Sequence, residues 1–214
     1  GAKYFLGGDL AEGKQVQLGK KLETDFSTIN VDDEYGITVA TYRARTKPED
    51  MAIIVLLIAI LFNNAQVNVE RNSVGEACWA MFKQSGYNNV YLRDGTGPYD
   101  DRAWNKTMPS NRKTMLLELR HHLRRNPQAV VCRRFAHEVG VFITNKDGKP
   151  EAMAGEHDDL VLAKMHSWHM IYDIKGIRVE VEKEEEEPPH ELEFFSVLEA
   201  NGVNLEEWID ASGY

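Results

Sequence analysis

The first third of the chain alternates apolar and polar positions in short runs, and longer apolar stretches of helical period follow. Residues 3–10 read as a strand that places Asp9 at its end, with a turn-prone Ala11-Glu12-Gly13-Lys14 after it. Residues 26–31 and 37–43 are β-rich runs separated by the polar turn Asp32-Asp33-Glu34-Tyr35-Gly36, so they predict an antiparallel hairpin. Pro48 opens a helix to about Phe62 that is apolar nearly all round, which predicts burial on most sides, and Asn63 and Asn64 end it. Residues 65–70 alternate with period two and form the next strand. Ser73 caps a helix over 74–84 that stops at Gly86, and residues 89–93 make a further short strand. Residues 94–110 are a Gly-, Pro- and Asp-rich loop, and residues 111–125 a helix. Residues 135–142 are ambiguous, 139–144 reading more as strand, with a hairpin turn at 145–148 before 151–154. His157-Asp158-Asp159 then precede a helix over 160–172 with small and apolar residues on its inner face. Three strands in a row, followed by strands alternating with helices, predict an α/β fold with a mixed sheet.

Charge changes the picture because it is unevenly placed. The net charge is −9, yet residues 180–214 hold twelve acids and one base, leaving the body with 24 bases against 22 acids, about +2. An acidic tail's field is screened within roughly 8 Å at physiological salt, so nucleic-acid binding by the body remains open. The eleven-residue apolar run at 52–62 is too short for a bilayer, which needs roughly 20 residues. The N-terminus lacks the pattern of a secretory signal, and the expectation is an intracellular protein. Cys78 and Cys132 have no zinc-type spacing and are expected to be buried, reduced and structural.

Three acidic sites stand out by position: Asp9 at the end of the first strand, Glu70 at the end of the fourth, and Asp158-Asp159 at the start of a late helix. Clustered carboxylates repel one another unless a cation offsets them, and their hard oxygens suit Mg²⁺ or Mn²⁺. Taken singly, Asp9 fits a turn, Asp158 a helix N-cap and Asp159 a first-turn acid favoured by the helix dipole. Glu70 has no such local use.

Gly7-Gly8-Asp9-Leu10-Ala11-Glu12-Gly13 with Asp25-Phe26-Ser27, Val69-Glu70-Arg71-Asn72-Ser73-Val74-Gly75, and Gly155-Glu156-His157-Asp158-Asp159-Leu160-Val161-Leu162-Ala163 occur in that order. They resemble the three acidic motifs of the nuclease domain of the large terminase subunit of tailed bacteriophages, an RNase H-like family. The similarity spans about residues 3–172, including Trp104, Thr107 and Arg112-Lys113-Thr114. It implies an RNase H-like mixed β-sheet flanked by helices over residues 1–175; residues 176–214 lie outside the similarity and read, from their charge, as a short acidic C-terminal extension. It also implies an endonuclease that cuts concatemeric double-stranded DNA by two-metal hydrolysis with Mg²⁺ or Mn²⁺, leaving 3′-hydroxyl and 5′-phosphate ends. Asp9 and Glu70 carry over as metal ligands, with Asp159 or Asp158 completing the set and Asp159 favoured; His157 orients a ligand or holds backbone, and Lys14 approaches a phosphate or is an exposed turn lysine. The implied setting is the cytoplasm of the infected bacterial host, away from any membrane, with an ATPase domain, a small terminase subunit and a portal as partners. No Gly-x-x-x-x-Gly-Lys-Ser/Thr loop occurs, so the chain carries no packaging-type ATPase motif.

For DNA contact, residues 111–134 supply Arg112, Lys113, Arg120, Arg124, Arg125, Arg133 and Arg134 against one acid, Glu118. The first five form the expected phosphate-binding face. Trp79 and Trp168 read as helical core residues, while Trp208 lies in the tail as a candidate contact. Two other functions compete: another RNase H-like nuclease of resolvase or transposase type, and a non-catalytic module that docks to a portal or small terminase subunit.

Overall fold

The computed structural model describes residues 1–11, 15–18, 21–24, 26–70, 73–91, 109–130, 132–145 and 149–179. Lys14, most of the expected loop at 94–110 with Trp104 and Thr107, and the acidic tail with Trp208 lie outside the described residues.

The centre is a four-stranded mixed sheet of order β5-β4-β1-β6. β1 (Tyr4–Asp9) runs antiparallel to β4 (Ser27–Asp33), which pairs antiparallel with β5 (Thr38–Ala44), while β6 (Gln66–Val69) lies parallel to β1 on its other side. The predicted hairpin and its turn are therefore β4 and β5, and the alternating run after the first long helix is β6. Two further strands, β2 (Gln15–Leu18) and β3 (Lys21–Thr24), form a separate antiparallel pair that the sequence pattern did not announce. Where a strand was expected at 89–93, Val90 makes a single parallel bridge to Val67.

The sheet separates two apolar layers. On one face α1 (Pro48–Leu61) and α2 (Ser73–Ser85) pack over Leu6, Leu10, Ile29, Val31, Val67 and Val69. Pro48 opens α1 with Glu49 and Asp50 in the first turn, and the chain leaves it through Asn63 and Asn64, both in the left-handed region at φ 53 and 55°. Contrary to the expected burial on most sides, α1 leaves an apolar stripe in water: Ile53, Leu57, Ile60 and Leu61 are 45 to 78% exposed. An all-apolar helix at the surface of a small domain has only one neighbouring layer to bury against, so its outer stripe stays wet.

On the other face lie α3 (Pro109–Arg125), α4 (Arg133–Gly140) and α5 (Asp159–Ile174), packed around Phe5, Phe135 and the fully buried Trp168. The stretch at 135–142 belongs mostly to helix α4, and the strand reading holds only for β7 (Phe142–Thr144), which pairs with β8 (Pro150–Ala152). α5 lies directly on β1. A Cβ at Gly7 would stand 2.2 Å from the Ala163 carbonyl oxygen and 2.4 Å from the Ser167 nitrogen, so only glycine admits the helix at this depth.

The inner face of α5 is not purely apolar, as the sequence reading had it. Lys164 is fully buried and its Nζ lies 2.5 Å from Oδ1 of the equally buried Asp32, and it also reaches the Thr38 hydroxyl. Asp32 Oδ2 accepts from Asn30 Nδ2 at 2.8 Å and from the Ser167 hydroxyl. Burial pushes the Lys164 ammonium down from its ordinary value, against the pull of Asp32. Asp32, read from sequence as a turn residue, instead belongs to the end of β4 and to the core. Cys78 is buried and free, with burial pushing its thiol up to about 12, and Cys132 is free and half-buried.

Candidate functional site

Strand alternation decides which side chains meet. Along β1, Leu6 and Leu10 face α1 and α2, whereas Phe5 and Gly7 face α5, which puts Asp9 on the α5 side. Along β6, Val67 and Val69 belong to the α1 layer, while Asn68 donates to the His166 carbonyl of α5 at 2.8 Å. Alternation therefore turns Glu70 to the α5 side as well. Gly8 pairs with Val69 in the parallel register, and Glu70 N–H donates to the Gly8 carbonyl at 3.2 Å, so Asp9 and Glu70 leave the sheet side by side.

α5 runs antiparallel to β1. Lys164 and Ser167 reach Asp32, which stands opposite Phe5, while Asp159, one turn earlier than Ala163, binds Arg43, which stands opposite Thr28 and so level with Asp9. The N-terminus of α5 thus carries Asp158 and Asp159 to the corner where Asp9 and Glu70 emerge. A row crosses the sheet here: Arg43 on β5, Thr28 on β4, Asp9 on β1 and Glu70 after β6.

Both aspartates of α5 already have basic partners. Arg43 Nη2 lies 3.1 Å from Asp159 Oδ2, with the Asp159 side chain 6% exposed, and Arg112 Nη2 lies 3.5 Å from Asp158 Oδ2. Asp158 is the N-cap residue by position, but its side chain makes no cap bond; Oδ2 instead accepts from the Ala152 N–H at 3.3 Å. The cap role falls to Glu138 of α4, whose Oε2 accepts the Leu160 N–H at 2.7 Å. Burial pushes the Glu138 carboxyl up to about 7, against that N–H and Arg43. The Arg43 guanidinium stacks 3.5 Å above the Phe26 ring. His157 meets the edge of the same ring and places Nδ1 3.7 Å from Asp159 Oδ2.

The fit of a divalent cation can be judged on these contacts. The donor set is all carboxylate, from three separate elements, which is the chemistry of Mg²⁺ and Mn²⁺ sites. Among the described residues, however, no three acidic, His or Cys side chains already converge on one point. Buried polar atoms without a hydrogen-bond partner gather here: Thr28 Oγ1, Arg43 Nε, Arg112 Nε and Glu138 Oε1. Such atoms cost about 1–3 kcal/mol each when left unsatisfied, so the corner gains from any movement that pairs them. The residues fit the ion in type and stand at one corner of the sheet without converging on one point, and two arginines neutralise half of the acids.

The expected DNA face divides in two. Lys113, Arg120, Arg124 and Arg125 of α3 are exposed, but Arg112 is half-buried against Asp158 and so belongs to the acidic corner. Sequence reasoning missed Arg43 and Glu138. Arg43 had a readable signal, a base at the end of a predicted strand with Arg45 and Lys47 just beyond it; Glu138 had none, because the stretch around it was not recognised as a helix.

No protein-family model matches the sequence, and no curated protein sequence matches it. Solved structures do. The crystal structure of the large terminase nuclease from thermophilic phage G20c with bound magnesium superposes with a TM-score of 0.58 at 18% identity, covering 78% of this chain and 81% of that one. The cobalt-bound form of the same nuclease gives 0.56 at 17%, over 78% and 81%, and the structure without a named metal 0.54 at 16%, over 78% and 82%. At that likeness this chain has the fold of the large terminase nuclease of phage G20c.

Proposed function

We propose that the chain is a divalent-metal-dependent endodeoxyribonuclease of the large-terminase kind, acting on concatemeric double-stranded DNA. The observation that carries this reading is the corner itself: Asp9 and Glu70 leave adjacent parallel strands on the face where α5 delivers Asp158 and Asp159. Asp9, Glu70 and Asp159, with Asp158 at its side, would hold Mg²⁺ or Mn²⁺. Such ions supply Lewis acidity at a scissile phosphate and lower the pKa of water. The chain's own part is to bring the donors together: Glu138 anchors the α5 terminus, and His157 stands beside Asp159 at 3.7 Å. Lys113, Arg120, Arg124 and Arg125 would meet backbone phosphates, which makes binding sequence-tolerant and steeply salt-dependent. Within a packaging assembly, an ATPase domain, a small terminase subunit and a portal are the corresponding partners, and the acidic residues beyond 180 are the candidate restraint on the basic face.

The test is cleavage of supercoiled plasmid with Mn²⁺, Mg²⁺ or EDTA, beside Asp9→Asn and Glu70→Gln. Metal-dependent nicking and linearisation, reduced at least ~10²-fold in both variants, is expected. Equal cleavage by the wild type and either variant removes the site assignment. One observation favours a second reading, a non-catalytic docking module: Asp159 and Asp158 are already neutralised by Arg43 and Arg112. That reading predicts no cleavage with any metal and no Mn²⁺ binding that depends on Asp9.

A further inference from the structure

Arg43 uses its guanidinium incompletely. One nitrogen, Nη2, bonds Asp159 at 3.1 Å, while Nε is buried without a partner. Facing Nε at 3.9 Å is Glu138 Oε1, also buried and without a partner, although the other oxygen of that carboxylate is fixed by the Leu160 N–H. A guanidinium presents its donors in a rigid fork suited to bidentate pairing, so a donor and an acceptor that stand just beyond bonding distance form an unmade half of such a pair. The Phe26 ring lies against the guanidinium, its centroid 3.5 Å from Arg43 Cζ. The arginine thus sits between two carboxylates, bonded to one and aimed at the other.

This matters if Asp159 is to serve a divalent cation, because a guanidinium on the same oxygen repels that ion at short range. Resting on the metal-dependent reading above, we infer that Arg43 is a charge-handover residue: without the ion it neutralises Asp159, and on ion binding it passes to Glu138, releasing Asp159 to the ion. Glu138 is then a positioning residue with two tasks, one oxygen anchoring α5 and the other receiving Arg43. The same movement opens the space beside Thr28, whose buried hydroxyl stands between Arg43 and Asp9 in the row across the sheet and has no partner.

The inference assigns opposite signs to two substitutions. Arg43→Gln removes the competing cation and should tighten Mn²⁺ binding at least 10-fold. Glu138→Gln removes the receiver, leaves Arg43 on Asp159, and should weaken Mn²⁺ binding at least 5-fold. Simple loss of a nearby negative charge would also weaken binding, so the double variant decides: in the Arg43→Gln background, Glu138→Gln should have no effect, because there is nothing to hand over. The measurement is titration of the folded chain with Mn²⁺ alone, following free Mn²⁺ by electron paramagnetic resonance, with circular dichroism checking each variant's fold.

Equal wild-type and Arg43→Gln affinities, or the same loss from Glu138→Gln in both backgrounds, overturn the handover while leaving the metal site standing. If Arg43→Gln does not fold, an unchanged affinity in Glu138→Gln alone is enough to overturn it. If no variant binds Mn²⁺ in a manner that Asp9→Asn abolishes, the metal-dependent reading falls, and the handover falls with it.

Discussion

Helices α1 and α5 lie on opposite faces of the same sheet and invert what their compositions suggest. α1 carries no charge between Met51 and Leu61, yet Leu57 and Leu61 are 58 and 78% exposed. α5 contains Asp159, Lys164, His166 and Ser167, and all four are buried. Burial follows position in the layers. α1 has one neighbouring layer and α2 beside it, whereas α5 is enclosed by the sheet, α3 and α4. A helix enclosed on that many sides can bury polar groups only where each finds a partner, and Asp32, Asn30 and Thr38 supply them for Lys164 and Ser167. Polarity inside α5 is therefore a set of fixed contacts, and apolarity outside α1 is a surface with few demands.

The sharpest way to break this contrast is to push α5 off the sheet. Gly7→Ala places a methyl group against backbone atoms of Ala163 and Ser167 that have no rotamer with which to yield. A loss of at least about 5 kcal/mol, or failure to fold, is expected by urea unfolding. Next in size is Lys164→Met, which leaves the Asp32 carboxylate buried without its cation and should cost about 3–5 kcal/mol. Adding Asp32→Leu to that variant should recover much of the loss; no recovery would mean that packing, and not charge, sets the cost.

Acid probes the same helix more gently. His166 is fully buried with Nδ1 unpartnered, and burial, then His169 and Arg112, pushes its pKa down to about 3. Between that value and the ordinary 6.5 the unfolded chain binds a proton that the folded chain does not. Stability therefore rises with pH across this window and is lost as pH falls below 6.5, by about 1.4 kcal/mol per unit for this one group. His122, pushed down to about 4 by burial and the nearby Lys164, adds in the same direction. Urea melts from pH 6.5 downward should show His166→Asn with a slope shallower by about one proton; identical slopes would place the sensitivity elsewhere. The smallest effect belongs to α1: Leu57→Gln and Leu61→Gln should each change stability by less than about 0.5 kcal/mol. A cost above about 1 kcal/mol would show that the stripe is covered in solution and would end the contrast.

The sequence made the main strands and one hairpin legible, because strand alternation and turn residues are local properties. Asp9 and Glu70 could be placed at strand ends for that reason, and α5 could be placed behind Asp158. What could not be read is whatever depends on register between distant segments. Arg43 reaches Asp159 across 116 positions, and Lys164 reaches Asp32 across 132. Asp32 carried a turn-like neighbourhood that concealed its place in the core. Glu138 sits in a helix of eight residues, too short for a periodic signal to separate it from a strand. The basic stretch from Arg112 was visible as a run, but a run does not reveal that its first member turns inward to Asp158.

The close seat of α5 on Gly7 also fixes when the acidic corner can exist. Asp9 and Glu70 precede Asp159 by 150 and 89 positions, and α5 is the last described element, so the corner stays incomplete until that helix has been made. At roughly 5–20 residues per second, the two strand-borne carboxylates wait many seconds for the third. A chain that stops before Asp158 therefore carries the two strand-borne carboxylates without the pair that α5 brings to them.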